Sequence, residues 1–129
     1  MRVLLDTHVW LWMWGEPARL RNEARSIIED PANELNVSAV SAWEISMKEA
    51  AGRLRLPTSG EAWLADPRHR RDMTELPITF AHAIRAGALP PHHRDPFDRM
   101  LVAQAQLEGL VLVSADRKLA AYDVDSMPA

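Results

Sequence analysis

Four acidic residues stand where an α/β protein does its chemistry. Asp6 ends the apolar run Val3-Leu4-Leu5, and Asp116 comes three residues after the run Leu110 to Val113. Asp98 lies in the opening turn of a long apolar segment that begins after Asp-Pro-Phe, and Glu44 lies in a segment that follows another short strand candidate, Leu35 to Val37. Open α/β sheets bind ligands at the carboxyl ends of their strands, so acids placed there are candidate ligands or bases. If the strands ending near residues 5 and 113 are parallel neighbours, Asp6 and Asp116 emerge at one sheet edge. Clustered carboxylates without thiols or a histidine pair suit a hard divalent cation such as Mg²⁺ or Mn²⁺ rather than zinc.

Each acid also has a structural reading. Asp6 or Thr7 can cap the next helix, and Asp95, Asp98 and Asp116 can sit at helix starts where the dipole favours negative charge. Ser41-x-x-Glu44 has capping-box spacing, and Glu44 with Lys48 has the spacing of a helical ion pair.

The elements that must position these residues follow from periodicity. Residues 2–5, 35–37 and 110–113 read as strands. Residues 17–30 read as one helix opened by Pro17, and Val40, Trp43, Met47, Ala50 and Ala51 recur as the apolar face of a helix stopped by Gly52. Residues 59–68 and 79–86 are weaker helix candidates, 97–108 is a helix apolar almost all round, and 115–122 is a last helix. The order predicts a small α/β domain with a mainly parallel sheet flanked by helices, occupying residues 1–129.

Composition narrows the class. The chain has 129 residues, 47% hydrophobic, and no cysteine, which removes disulfide frameworks and thiolate sites and fits a reducing cytoplasm. No run reaches the ~18 apolar residues of a membrane span. The net charge of −3, from 15 Lys and Arg against 18 Asp and Glu, gives no global pull toward nucleic acid. Any such binding is local, and Arg68-His69-Arg70-Arg71 is the densest basic cluster. The five His residues lack zinc-ligand spacing, with His92-His93 in a Pro-rich stretch. Trp10, Trp12 and Trp14 invite base stacking, but Leu11 and Met13 between them make burial or a protein interface the better expectation.

The stretches VLLDTHVWLW, SAVSAWEI, HHRDPFDRMLVAQA and LVLVSADRKLAAY together resemble PIN-domain proteins of the VapC type, the toxins of bacterial toxin-antitoxin pairs. The resemblance spans nearly the whole chain. It implies a Rossmann-like sheet of about five parallel strands and a homodimeric, Mg²⁺- or Mn²⁺-dependent ribonuclease silenced by a VapB-type antitoxin. By position, Asp6, Glu44, Asp98 and Asp116 match the family's acidic quartet, with Asp6, Asp98 and Asp116 as metal ligands. Thr7 and Ser114 match polar neighbours of the first and last acids, and Asp95 is an added acid beside Asp98. Two other classes remain. A phosphoacceptor signalling domain would carry an acidic pair after its first strand and a late lysine, which Asp6-Thr7 and Ser114-Ala115 do not supply; a catalytically inactive scaffold of the same fold would keep these residues without cleaving RNA.

Overall fold

The computed structural model describes residues 1–129. Five strands, β1 (Arg2–Leu5), β2 (Glu34–Ser38), β3 (Met73–Leu76), β4 (Val111–Ser114) and β5 (Ser126–Pro128), form one sheet in the order β3-β2-β1-β4-β5. All four pairings are parallel, with Leu5 opposite Val37 on one side and Val113 on the other. The central strand is covered on both faces, as its unbroken apolar run requires. Val3, Leu4 and Leu5 have no solvent exposure.

Alternation along β1 divides the core in two. Leu4 packs with Leu101, Val102 and Leu112 in a cluster that includes α5 (Phe80–Ala88) and α6 (Pro96–Glu108). Val3 and Leu5 pack with Val9 and Trp10 of α1 (Thr7–Gly15), Ala24 of α2 (Asn22–Glu29), Ile45 of α3 (Ala39–Ala50) and Trp63 of α4 (Gly60–Ala65). Helix α6 starts with Pro96 at its first position under an Asp95 cap, and it stops at Gly109, whose left-handed φ of 65° is open to glycine at little cost.

Several sequence expectations need correction. The predicted helix over 17–30 is broken: Pro17–Arg19 make a 3-10 turn, and Leu20 and Arg21 become extended before α2 begins. The break seats Leu20 in the core. Helix α3 turns Val40, Ser41, Glu44 and Ile45 inward and leaves Trp43 60% exposed, so the expected Trp43-Met47 face is the outer one. The last predicted helix is a 3-10 turn, Arg117–Ala121. Strands β3 and β5 had no sequence signal, because one is a polar Met-Thr-Glu-Leu edge and the other is three residues containing a proline, also at an edge.

The tryptophan run divides by position on α1. Trp10 is core, and its indole N–H donates to the His69 carbonyl at 2.6 Å. Trp12 is half-buried with the Arg19 guanidinium 4.4 Å above its ring, and Trp14 is exposed.

Candidate active site

Because β1 and β4 are adjacent and parallel, their carboxyl ends deliver Asp6 and the Ser114-Ala115-Asp116 turn to the same edge of the sheet. The Asp6 backbone N–H donates to the Val113 carbonyl at 3.0 Å, extending the ladder by one residue and fixing where the side chain leaves the strand. Asp6 occupies the cap position of α1 but makes no side-chain cap bond. Its Oδ2 instead accepts the Ser114 hydroxyl at 2.5 Å. A buried carboxyl aimed at another strand's serine is not explained by capping.

Next to it, α3 brings in Glu44. The expected capping box is absent: Ser38 caps α3 by accepting from Val40 N–H, while Ser41 accepts the Thr7 hydroxyl at 2.8 Å. That bond ties the first turn of α1 to α3. Glu44 is 2% exposed, and its Oε2 is ion-paired with Lys48 Nζ one turn on, the helical pair that the spacing predicts. Its Oε1 is buried and has no hydrogen-bond partner. An orphaned buried carboxylate oxygen is costly, and it marks a site where a further ligand would be welcome.

Asp98 sits in the first turn of α6, one turn past the Asp95 cap, whose Oδ1 accepts from Phe97 N–H at 2.9 Å. Burial, together with the negative charges of Asp6, Asp95, Glu44 and Asp116, pushes the Asp98 carboxyl up to about 8. Burial also raises Asp6, and Glu44 adds to the effect, against the hydrogen bond from Ser114. Partial burial acts on Asp116 in the same upward sense, but it is outweighed by the Lys118 N–H that Asp116 caps and by the His93 hydrogen bond, so this carboxyl lies below its ordinary value.

The structure adds a residue that sequence reasoning set aside. His93 Nε2 lies 2.8 Å from Asp116 Oδ2 and 3.1 Å from Asp98 Oδ2. Its Nδ1 accepts the Asp95 backbone N–H at 3.1 Å, which leaves the ring hydrogen on Nε2, facing the two acids. One ligating atom from each of His93, Asp98 and Asp116 falls within 4.8 Å of the others. Spacing rules for histidine pairs miss such a residue, because its partners are carboxylates from two other elements. The available signal was its place two residues ahead of the α6 cap.

The site thus gathers Asp6, Glu44, Asp95, Asp98 and Asp116 with Thr7 and Ser114 as their hydroxyl neighbours, and it adds Ser41, Lys48 and His93. The Arg68 to Arg71 cluster takes no part; Arg68 and Arg70 pair with Asp66 and Glu75.

Comparison with known proteins places the fold in a family. The PIN domain family matches residues 3–125. The chain is 37% identical over 121 residues to Ribonuclease VapC22 of Mycobacterium tuberculosis (strain ATCC 25618 / H37Rv), covering 93% of this chain and 91% of the relative. It is 34% identical over 67 residues to Ribonuclease VapC16 of the same organism, about half of each chain. Among solved structures, the fold is similar to a chain of VapBC2 from Rickettsia felis bound to a promoter DNA fragment (TM-score 0.77, 10% identity, 100% and 99% of the two chains). It is also similar to a chain of DNA-bound VapBC from Salmonella typhimurium (TM-score 0.73, 15% identity, 99% and 98%). With the family match spanning almost the whole chain and a relative of that identity along nearly its full length, this protein belongs to the PIN-domain family and is of the VapC type.

Proposed function

We propose that residues 1–129 act as one PIN domain that hydrolyses RNA phosphodiester bonds internally, with a divalent cation, as the toxin of a toxin-antitoxin pair. The observation that carries the reading is the convergence of the acids: adjacent parallel β1 and β4 bring Asp6 and Asp116 to one sheet edge, where Asp98, Glu44 and Asp95 crowd them and, with burial, push the Asp98 carboxyl up to about 8. Such crowding raises the energy of the charged site and is relieved by a cation. The buried Glu44 Oε1 without a partner, and a cluster in which the carboxylates of Asp98 and Asp116 close on the His93 ring with Asp6 beside them and no thiol present, fit Mg²⁺ or Mn²⁺. The 37% identity to a protein named a ribonuclease supports the substrate class.

Asp6, Asp98 and Asp116 would hold the ion. When bound, it would make a water more acidic and offset the charge that builds on the phosphate. The chain's own groups do the rest. Ser114 holds Asp6 in one orientation, and the Thr7-Ser41 bond keeps α1 and α3 in register beside it. Glu44 keeps one oxygen on Lys48 and the other unpaired, so Oε1 is the group able to take a proton from the attacking water. His93 orients Asp98 and Asp116 through a hydrogen that Asp95 N–H fixes on Nε2.

For partners, the neighbouring solved structures are VapBC complexes, which supports a VapB-type antitoxin here. A homodimer is supported by apolar side chains left open on two helices, Trp43 and Met47 one turn apart on α3 and Phe80 and Ile84 one turn apart on α5, with Phe80 89% exposed. No helix is long and apolar enough to cross a membrane. An RNA substrate and the absence of cysteine support a cytoplasmic location.

The test is incubation of the purified protein with total RNA in Mg²⁺ and in EDTA. Fragments that appear only with Mg²⁺ are expected. No fragments, or the same fragments in EDTA, overturn the proposal and favour an inactive scaffold of this fold.

A further inference from the structure

On one side the acids are bordered by two cationic side chains and a histidine. His8 follows Thr7 on α1, Lys48 lies one turn beyond Glu44 on α3, and Arg53 comes just after the Gly52 turn that follows α3. With Thr7 and Glu44, and with Leu11, Ile45 and Leu54 as its apolar wall, these three line a cavity of about 120 Å³. That is room for several waters, or for a phosphate group and its oxygens.

Five of the thirteen arginines are ion-paired elsewhere: Arg2 with Glu34, Arg19 with Glu16, Arg25 with Glu29, Arg68 with Asp66, Arg70 with Glu75. Arg53 and His8 are exposed, and their side chains have no ion pair or hydrogen bond within the protein. Lys48 uses one ammonium hydrogen on Glu44 and keeps two. Its charge offsets that of Glu44, so Arg53 leaves the cavity positive beside an acid cluster, in a chain whose net charge is −3.

That placement answers a physical difficulty. An RNA strand brought to clustered carboxylates is repelled, and fixed cations next to them are what hold its backbone in register. We propose that this cavity is a subsite for a backbone phosphate of the RNA strand, adjacent to the one that is cut. Lys48 and Arg53 supply the charge and the His8 ring supplies a hydrogen bond. Thr7 and Glu44 border both the cavity and the acids, which makes the phosphate held there a neighbour of the reacting one. The proposal rests on the ribonuclease reading.

Its test uses a single-stranded RNA oligonucleotide, with binding measured at several salt concentrations. The full chain carries Asp98→Asn to silence cutting, with or without Arg53→Gln or His8→Gln. Arg53 is exposed, so its variant should fold. Arg53→Gln is expected to weaken binding severalfold and to flatten the plot of log affinity against log salt by about 0.7, one phosphate contact on a single strand. In the otherwise unaltered protein it should raise KM for RNA with kcat kept. Arg25→Gln, the control, should change none of these. Unchanged affinity and slope in Arg53→Gln overturn the subsite. If the unaltered protein cuts no RNA, the ribonuclease reading fails, while the binding comparison still decides the subsite.

Discussion

Ser114 and Asp6, 108 positions apart in the chain, are joined by a hydroxyl-to-carboxylate hydrogen bond of 2.5 Å at the ends of two adjacent parallel strands. The same Ser114 oxygen accepts the Asp116 backbone N–H at 3.0 Å, so one hydroxyl sets both the first and the last acid. Ser114→Ala should therefore cost about 1–3 kcal/mol, the penalty for leaving buried polar groups unpaired, and should lower RNA cleavage as well. Urea unfolding in EDTA and cleavage in Mg²⁺ measure the two effects. A stable variant with full activity would show that the serine is a bystander.

Asp→Asn substitutions separate ligand from cap. An amide caps a helix about as well as a carboxylate, so Asp116→Asn should keep its bond to Lys118 N–H and most of its stability. Asp6→Asn, Asp98→Asn and Asp116→Asn are all expected to abolish cleavage, and Asp98→Asn should leave the chelated protein as stable or more so, since a repelled carboxyl is gone. Thermal melts in EDTA beside RNA cleavage in Mg²⁺ check this, and retained cleavage in Asp6→Asn and Asp116→Asn would remove them from the mechanism.

The acids that close apolar strands were legible in the sequence because a buried parallel strand is a continuous apolar run and its end is conspicuous; Asp6 and Asp116 needed only the β1-β4 adjacency to meet. Glu44 was ambiguous because capping box, helical ion pair and catalytic acid share its spacing, and only the cap of α3 by Ser38 and the capture of Ser41 by Thr7 rule out the first. His93 was not legible, since a loop histidine's partners depend on how β4 and α6 converge. The edge strands β3 and β5 escaped for a different reason. Half-exposed and short, they owe their conformation to pairing with β2 and β4 rather than to their own residues.

The pH dependence of the chelated protein has a definite sign. Asp98 titrates at about 8 in the fold and at 3.8 as an ordinary carboxyl, so the native state binds the extra proton across that window. Its contribution is fully present below pH 3.8 and is lost as pH rises through about 8. Melting temperatures in EDTA should fall between pH 5 and pH 9, about the span of that window, and Asp98→Asn should flatten the fall. A parallel decline in the variant would assign it to other groups.

Cation binding should reverse that loss. Mn²⁺ or Mg²⁺ at a hundredfold excess over Kd is expected to stabilise the fold by about 2.7 kcal/mol. Differential scanning calorimetry with and without millimolar Mn²⁺ reads it, and a melting temperature indifferent to the ion would contradict the metal site.

The open faces of α3 and α5 make a prediction about assembly. Phe80→Glu with Ile84→Glu should yield a monomer by sedimentation equilibrium with unchanged melting behaviour, because both side chains are exposed in the single chain. If the unaltered protein already sediments as a monomer, the dimer is refuted.

The strand order also governs when the pocket exists. β1 lies between β2 and β4, and one of those neighbours follows it within 40 residues while the other begins at Val111. As the chain leaves a ribosome, β1 and β2 can pair early, but the second edge of β1 stays open until the residues of β4, from Val111 on, have been made. Pairings of such long range form late, and an apolar edge left bare meanwhile is a place for strands of other chains to add. A nascent or truncated chain ending before residue 111 has Asp6 and Glu44 but neither Ser114 nor Asp116. The same topology that delays folding therefore keeps every copy that stops short of β4 without a complete acid cluster.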